Sequence, residues 1–149
     1  MNQSMDAETL AAALHRLIPP ARAMEVRVAE LTGAGIVLTA PLDANHNHAG
    51  TGFAGSLYSL AALAGWGWLY AFSRGCGLEP ELLLAEGRMR YHRPYETELR
   101  ACLTVPPTLA GRLHQRLAGG RRMRARLTVH LPDADAPAAT LEGDYAAVP

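Results

Sequence analysis

The sequence predicts an α+β domain in which a mostly antiparallel sheet wraps one long, buried helix. Three observations carry this. The segment from Ala49 to Ser73 holds no charged side chain, and from Gly55 to Phe72 it reads as a helix that is apolar nearly all round. Strand-like stretches come in pairs on either side of this helix and of a second, shorter one, bounded by glycine and proline. A chain of 149 residues with 49% hydrophobic content is large enough for one core that needs no disulfide or structural metal. Residues 1–149 are therefore read as one domain. The sheet must bury one face, and the uncharged helix is the element long and apolar enough to cover it.

Each element follows from local chemistry. Asp6 can cap a helix running to Leu17 or Ile18, with Leu10, Leu14 and Leu17 on one face, and Pro19-Pro20 stops it. Residues 24 to 41 look like a hairpin: Met24, Val26 and Val28 alternate with charged or small residues, "TGAG" turns the chain, and Ile36 to Ala40 resumes the extended pattern up to Pro41. In the central helix Gly65 and Gly67 each lower the intrinsic propensity by roughly 1 kcal/mol relative to alanine, but length favours a helix over a strand. Gly75 and Gly77 end it. Leu82 to His92 and Thr97 to Val105 are two strands separated by a turn at Pro94. Pro106-Pro107 precedes a short helix, Thr108 to Leu117. Met123, Ala125, Leu127, Val129 and Leu131 alternate with Arg122, Arg124, Arg126, Thr128 and His130, the clearest half-buried strand of the chain. The turn "LPDADAPAA" leads to a last strand near Thr140 to Ala147.

Composition removes several function classes. Fourteen arginines, with no lysine, balance fourteen acids, so there is no global pull towards nucleic acid or an anionic membrane. Without lysine there is neither Schiff-base chemistry nor a phosphate-loop lysine. Cys76 and Cys102 are too few and too far apart for a metal cluster and read as reduced thiols. No secretory signal is seen, and a cytoplasmic location is expected. The longest strictly apolar or glycine run, Leu60 to Leu69, has ten residues, about half of the roughly 20 that cross a bilayer. No membrane span is expected.

The chemistry-bearing stretch is "LDANHNHAGTGFAGS", Leu42 to Ser56, directly before the apolar helix. The backbone N–H groups of Ala54 to Leu57 have no partner within the helix and point into this loop, forming a site for negative charge. Small residues at Ala54 and Gly55 let a ligand carbonyl approach those donors, the arrangement that stabilises an oxyanion in acyl transfer or an enolate beside a thioester. Asn45, Asn47 and His48 can hold a water or a substrate carbonyl; histidine is the residue type whose ordinary pKa, about 6.5, suits a general base at neutral pH. Ser56 and Thr51 are further donors. The plainer alternatives stay open: His46 and His48 facing solvent or capping backbone, Asn45 and Asn47 making Asx turns, Ser56 capping the helix. No metal site is expected, since "HNH" has only Asp43 as an acidic neighbour. His15, His92, His114 and His130 read as structural or surface residues. Trp66 and Trp68, two apart, cannot share a helix face.

A second feature is basic. Arg112, Arg116, Arg121, Arg122, Arg124 and Arg126 follow one another, and no acid occurs between Glu98 and Asp133. Such a stripe can grip the phosphates of a nucleotide-bearing molecule or an acidic carrier protein, or be a solvated strand face. Lacking interleaved aromatics, it is a poor nucleic-acid surface, and no nucleic-acid partner is expected.

Three blocks, "HRLIPPARAMEV", "LTAPLDANHNHAGTGFAGSLYSLAALAGW" and "MRYHRP", resemble the YiiD C-terminal putative thioesterase family, of the hotdog-fold superfamily, over nearly the whole chain. The resemblance implies an antiparallel sheet of five or six strands curled around the long helix. It implies a homodimer with sites at the subunit interface, and a substrate presented as a thioester on coenzyme A or an acyl carrier protein, coenzyme A or phosphopantetheine being part of the substrate rather than a separate cofactor; further pairing into a tetramer is also an expectation. More distantly the loop is similar to that of PaaI-type hotdog thioesterases, which read Asn-x-x-Gly-x-x-His-Gly-Gly with an acid following on the helix. Asn47 and Gly50 fall on the first Asn and Gly, Phe53 on the His, Ala54 and Gly55 on the two glycines, and Ala62 where the acid stands. Asn47 and the Gly55 N–H carry over as groups that orient water and polarise the thioester carbonyl. His48 is put forward as base from its chemistry and proximity, with Asn45 positioning. Thr51, Phe53, Ala54 and Ser56, Tyr91 and Arg93 of the third block, and Arg122, Arg124 and Arg126 are the candidate substrate contacts. The expected activity is acyl-thioester hydrolysis; decarboxylation or dehydration of a β-substituted acyl thioester, and a non-catalytic acyl-thioester binding dimer, are the alternatives.

Overall fold

The computed structural model describes residues 4–134 and 136–149. Helix α1, Ala7–Leu17, starts where Asp6 accepts a hydrogen bond from Thr9 N at 2.8 Å. Its buried face is Leu10, Ala13 and Leu14. The two prolines end α1 but do not end helical structure. They open a second short helix, α2 (Pro19–Ala23), because a proline in the first turn lacks an N–H that would have no partner anyway. Strands β1 (Arg27–Thr32) and β2 (Gly35–Ala40) form the expected hairpin, β1 beginning only after Met24 and Val26 have turned into the core.

Helix α3, Ala54–Gly75, is the central element and runs for 22 residues. Its end comes at Gly77, whose φ of 73° lies in the left-handed region open to glycine. Strand β3 is Glu81–Tyr91, β4 Leu99–Thr104, α4 Pro107–Ala118, β5 Met123–Asp133 and β6 Ala136–Val148. Most of the stretch expected as a turn, residues 131 to 139, is instead strand: Leu131 pairs with Ala139 and Asp133 with Ala136, and the register shifts at Pro132, where a bulge accommodates a residue that cannot donate to the ladder. Within that stretch, Asp135 lies outside the described residues.

The six strands form one antiparallel sheet in the order β1-β2-β4-β5-β6-β3. Strands β3 and β4, consecutive in sequence, lie far apart in it, so the chain crosses from one edge to the middle after Tyr91. The alternating side chains of β5 bury Met123, Ala125, Leu127, Val129 and Leu131 and expose the arginines between them. Core residues of this face pack with α3, giving the hotdog arrangement of a sheet around a central helix. The ring of Tyr145 lies against Gly65, where a Cβ would sit 2.2 Å from the phenol oxygen, and that hydroxyl donates to Ala62 O at 2.8 Å. Gly65 therefore serves close packing between helix and sheet. Trp66 stacks on Tyr70 and Trp68 on Phe72, each one helical turn apart, so the two tryptophans sit on different faces. Among the described residues, no helix is long and apolar enough to cross a membrane.

Candidate functional site

The loop between β2 and α3 is built by its own amides. After a 3-10 turn at Leu42–Ala44, Asn45 turns inward and is 2% exposed. Its Nδ2 donates to Met24 O and Pro41 O, both at 2.9 Å, and its backbone carbonyl accepts from Phe53 N at 2.8 Å. These bonds fasten the loop to the β1–β2 side of the core, and only Oδ1 of the amide is left without a partner among the described residues. Asn47 makes the next turn. Its Oδ1 accepts from Ala49 N and Thr51 N, and its Nδ2 donates to Thr51 Oγ1. The Asx-turn alternative thus describes this side chain, and Thr51 is its partner. Gly50, at φ 79°, supplies the left-handed residue that such a tight loop needs. His46 pairs with Gly52 in an isolated bridge, with Nδ1 2.8 Å from Asn47 O, and His48 lies exposed on the turn. Gly52 N donates to Tyr95 O at 2.7 Å, joining the loop to the β3–β4 crossover.

This scaffold delivers the N-terminus of α3. Phe53 is the cap residue and makes no side-chain capping bond. The first helical bond is Leu57 N to Phe53 O at 3.0 Å. Leu57 is therefore paired, which trims the expected set of free donors to Ala54, Gly55 and Ser56. Ser56 lies inside the helix and does not cap it. The Phe53 ring, 51% exposed, stands over Gly55, where a Cβ would come 2.6 Å from the ring edge. The free N–H groups carry the positive end of a 22-residue helix dipole, which favours an anion or a carbonyl oxygen gaining charge.

Two phenols join the first turns of α3 to β3. Tyr91, at the end of β3, donates to Ala54 O at 2.8 Å. Burial, with the Tyr58 phenol nearby, pushes the Tyr91 hydroxyl above its ordinary pKa, so it remains a proton donor at neutral pH. Tyr58 stands one turn beyond Ala54 on α3, and its hydroxyl rests on Gly87 in the middle of β3, where a Cβ would meet it at 2.1 Å. Sequence reasoning missed Tyr58. The available signals were its helical spacing from Ala54 and Ala62 and a glycine inside a strand, which marks a close approach.

The remaining candidates lie elsewhere. Arg93 donates to the carbonyls of Asp133 and Ala136 and so braces the β5–β6 connection. Arg126 makes a two-pronged ion pair with Asp144, Nε to Oδ1 at 2.8 Å and Nη2 to Oδ2 at 3.0 Å. Arg122 and Arg124 are exposed at the start of β5, near α4 rather than near Gly55. His15 bonds Val26 O at 2.7 Å, a structural contact.

Residues 7–149 match the family described as putative thioesterase (yiiD_Cterm). Solved structures agree in fold. A putative thioesterase from Shewanella oneidensis is 28% identical with a TM-score of 0.88, over 96% of this chain and 97% of that one. A protein of unknown function from Chlorobaculum tepidum is 24% identical with a TM-score of 0.88, over 95% and 93%. A thioesterase from Haemophilus influenzae, at 15% identity and a TM-score of 0.75 over 99% and 93%, shares the fold. With the family match spanning α1 to the last strand and the sheet wrapped around α3, the chain belongs to the yiiD C-terminal family within the hotdog-fold thioesterase superfamily.

Proposed function

We propose that the protein hydrolyses an acyl thioester carried on coenzyme A or an acyl carrier protein, with the reaction centred on the N-terminus of α3. The observation that carries this reading is the trio of N–H groups at Ala54, Gly55 and Ser56, without a partner among the described residues, beside an ordered polar loop. The thioester oxygen accepts from Gly55 N–H, and water adds to the carbonyl carbon. The resulting oxyanion is stabilised by preorganised donors and the helix dipole, and its collapse expels the thiolate. His48 takes the proton of the attacking water. Asn47 acts as a positioning residue by holding the turn that carries His48, and Asn45 by pinning the loop to the core. Phe53 offers the acyl chain an apolar wall, and the Tyr91 hydroxyl, donating to Ala54 O, fastens the first turn of α3 to β3.

The functional unit in this proposal is a dimer joined along β3. That strand is a sheet edge of 11 residues, so one side of its backbone has no pairing partner among the described residues. Beside it, α3 leaves Tyr58, Ala62, Trp66 and Tyr70 only half-buried, four positions apart along one stripe that a second subunit would cover.

The test removes the donor without removing a helix bond. Gly55→Pro deletes an N–H that has no intrahelical acceptor, at the second helical position that Pro20 itself occupies in α2. Wild-type protein is expected to release free thiol from a panel of acyl thioesters. The variant is expected to turn over more slowly by roughly 30-fold or more, the equivalent of ~2 kcal/mol of transition-state stabilisation, relative to Gly55→Ala, which pushes the Phe53 ring aside in the same way but keeps the N–H. Unchanged thiol release in the variant would remove the oxyanion role. Mass spectrometry of the acyl group separates the other chemistries: loss of water or carbon dioxide without thiol release replaces hydrolysis by dehydration or decarboxylation, and binding without any change in mass leaves a binding module.

A further inference from the structure

A basic groove lies at the other end of β5. Strand β5 pairs with β6 along its length but with β4 only at Cys102↔His130 and Leu103↔Val129, so on the β4 side its first half runs beside helix α4. Between them is a hollow of about 450 Å³. Arg112 and Arg116 reach it from α4, Arg122 and Arg124 from β5, and Met123 and Val148 give it an apolar floor. Arg112 and Arg124, with the Asp144-paired Arg126, also line a second hollow of about 540 Å³ that extends the groove towards His130. Among the described residues no acid lines either one. Arg116 donates through Nε to Arg122 O at 3.1 Å, which ties one wall to the other while leaving the terminal nitrogens of the guanidinium available. Further across the same exposed face, arginine has an acidic neighbour: Arg126 pairs with Asp144, and Arg88 shares a hollow with Glu86 and Glu142. In the groove, four guanidinium groups converge from two walls with no counter-charge among the lining residues.

We propose that the groove between α4 and β5 binds a small ligand carrying two or more phosphate groups, such as the diphosphate of a nucleotide. Guanidinium forks match phosphate oxygens two at a time. Opposed walls suit a compact polyanion better than a broad carboxylate-bearing protein surface, and the volume is that of a small-molecule site. The apolar floor leaves room for the sugar or base attached to the phosphates. The phosphates have two possible sources, the nucleotide portion of a thioester substrate or a free nucleotide acting as a separate ligand. Only the first rests on the proposed hydrolysis; phosphate binding itself requires no turnover.

Calorimetry on the full chain at low ionic strength, with inorganic pyrophosphate and ADP as probes, tests the site directly. Wild-type protein is expected to bind both, with affinity falling as salt is raised. Arg112→Gln with Arg124→Gln, two exposed positions, is expected to weaken both at least tenfold with no change in the unfolding midpoint, and the corresponding double lysine variant to fall between. No pyrophosphate binding at low salt, equal binding by wild type and the glutamine variant, or binding of a polyglutamate peptide in preference to pyrophosphate overturns the proposal. Comparing acyl-CoA with the matching acyl-pantetheine, which lacks the nucleotide, separates the sources. A KM raised only for acyl-CoA assigns the phosphates to the substrate; KM values unchanged for both, with ADP binding lost in the calorimeter, assign them to a free nucleotide. A protein that hydrolyses neither thioester still gives the calorimetric answer.

Discussion

Asp133 is 4% exposed, yet it stays ionised in a place where burial by itself would raise its pKa. Hydrogen bonds from Thr97 Oγ1 and, at 2.9 Å, Glu96 N, together with the Arg93 charge, outweigh that cost and hold the carboxyl below its ordinary value. Because the folded pKa is the lower one, this group contributes stability that is fully present above the unfolded value, about 4, and is lost as pH falls through the folded value. Asp133→Asn is therefore expected to destabilise the protein by about 1–3 kcal/mol at pH 7, with the gap to wild type narrowing at pH 3. Urea unfolding at the two pH values measures it; a gap of constant size would assign the loss to shape alone. The same connection shows what residue types conceal. Arg93 looked like a substrate contact in "MRYHRP", but it supports the carbonyls of the β5–β6 connection. Asn45 looked like a water-positioning amide, and it spends Nδ2 on Met24 and Pro41.

Helix α3 contains two buried glycines with opposite reasons for being there. At Gly65 the Tyr145 ring occupies the place of a side chain, whereas a Cβ at Gly67 would make ordinary contacts with Ile36 at 3.5 Å and Leu10 at 3.7 Å. Gly65→Ala gains helix propensity but overpacks the helix against β6, and is expected to cost about 1–3 kcal/mol. Gly67→Ala gains the same propensity without a clash and is expected to stabilise by up to about 1 kcal/mol. Thermal melts of the two variants should move in opposite directions; a shift of the same sign in both would refute the packing account. Helices α3 and α4 and strand β5 were legible because α3 is apolar over many consecutive turns and β5 and α4 each repeat their apolar residues over nine positions. The β5–β6 connection was misread as a long turn because two prolines and two acids mimic turn chemistry, while the bulge that admits Pro132 depends on the partner strand.

At the scale of the whole molecule, the two edges of the sheet differ. Both edges carry charged residues, but β1 is six residues long, while β3 is 11 residues long with Leu83 53% exposed and Met89 and Tyr91 only partly covered. A long edge with exposed apolar side chains invites a partner strand. The protein is expected to run as a dimer in light scattering at micromolar concentration, and Leu83→Arg to shift it towards monomer and lower thioester turnover at least tenfold through loss of the shared site. A wild-type monomer with full activity would rule out the β3 dimer.

The sequence by itself determined the parts that depend on near neighbours: the alternation that makes β5 half-buried, the uncharged run that must become a core helix, the Asp6 cap, and an N-terminus of α3 with donors to spare. Tertiary structure decided whatever requires two distant segments to meet. It placed the Tyr58 hydroxyl on Gly87 and the Tyr91 hydroxyl on Ala54, and it tied up the amides of Asn45 and Asn47. It also gave Arg126 an ion-pair partner in Asp144, while Arg122 and Arg124 face Arg112 and Arg116 across a groove. A side chain's chemistry is set by its type, but its availability is set by which acceptors and charges the fold brings within about 3 Å of it, and that is a property of pairings between strands and helices far apart in the chain.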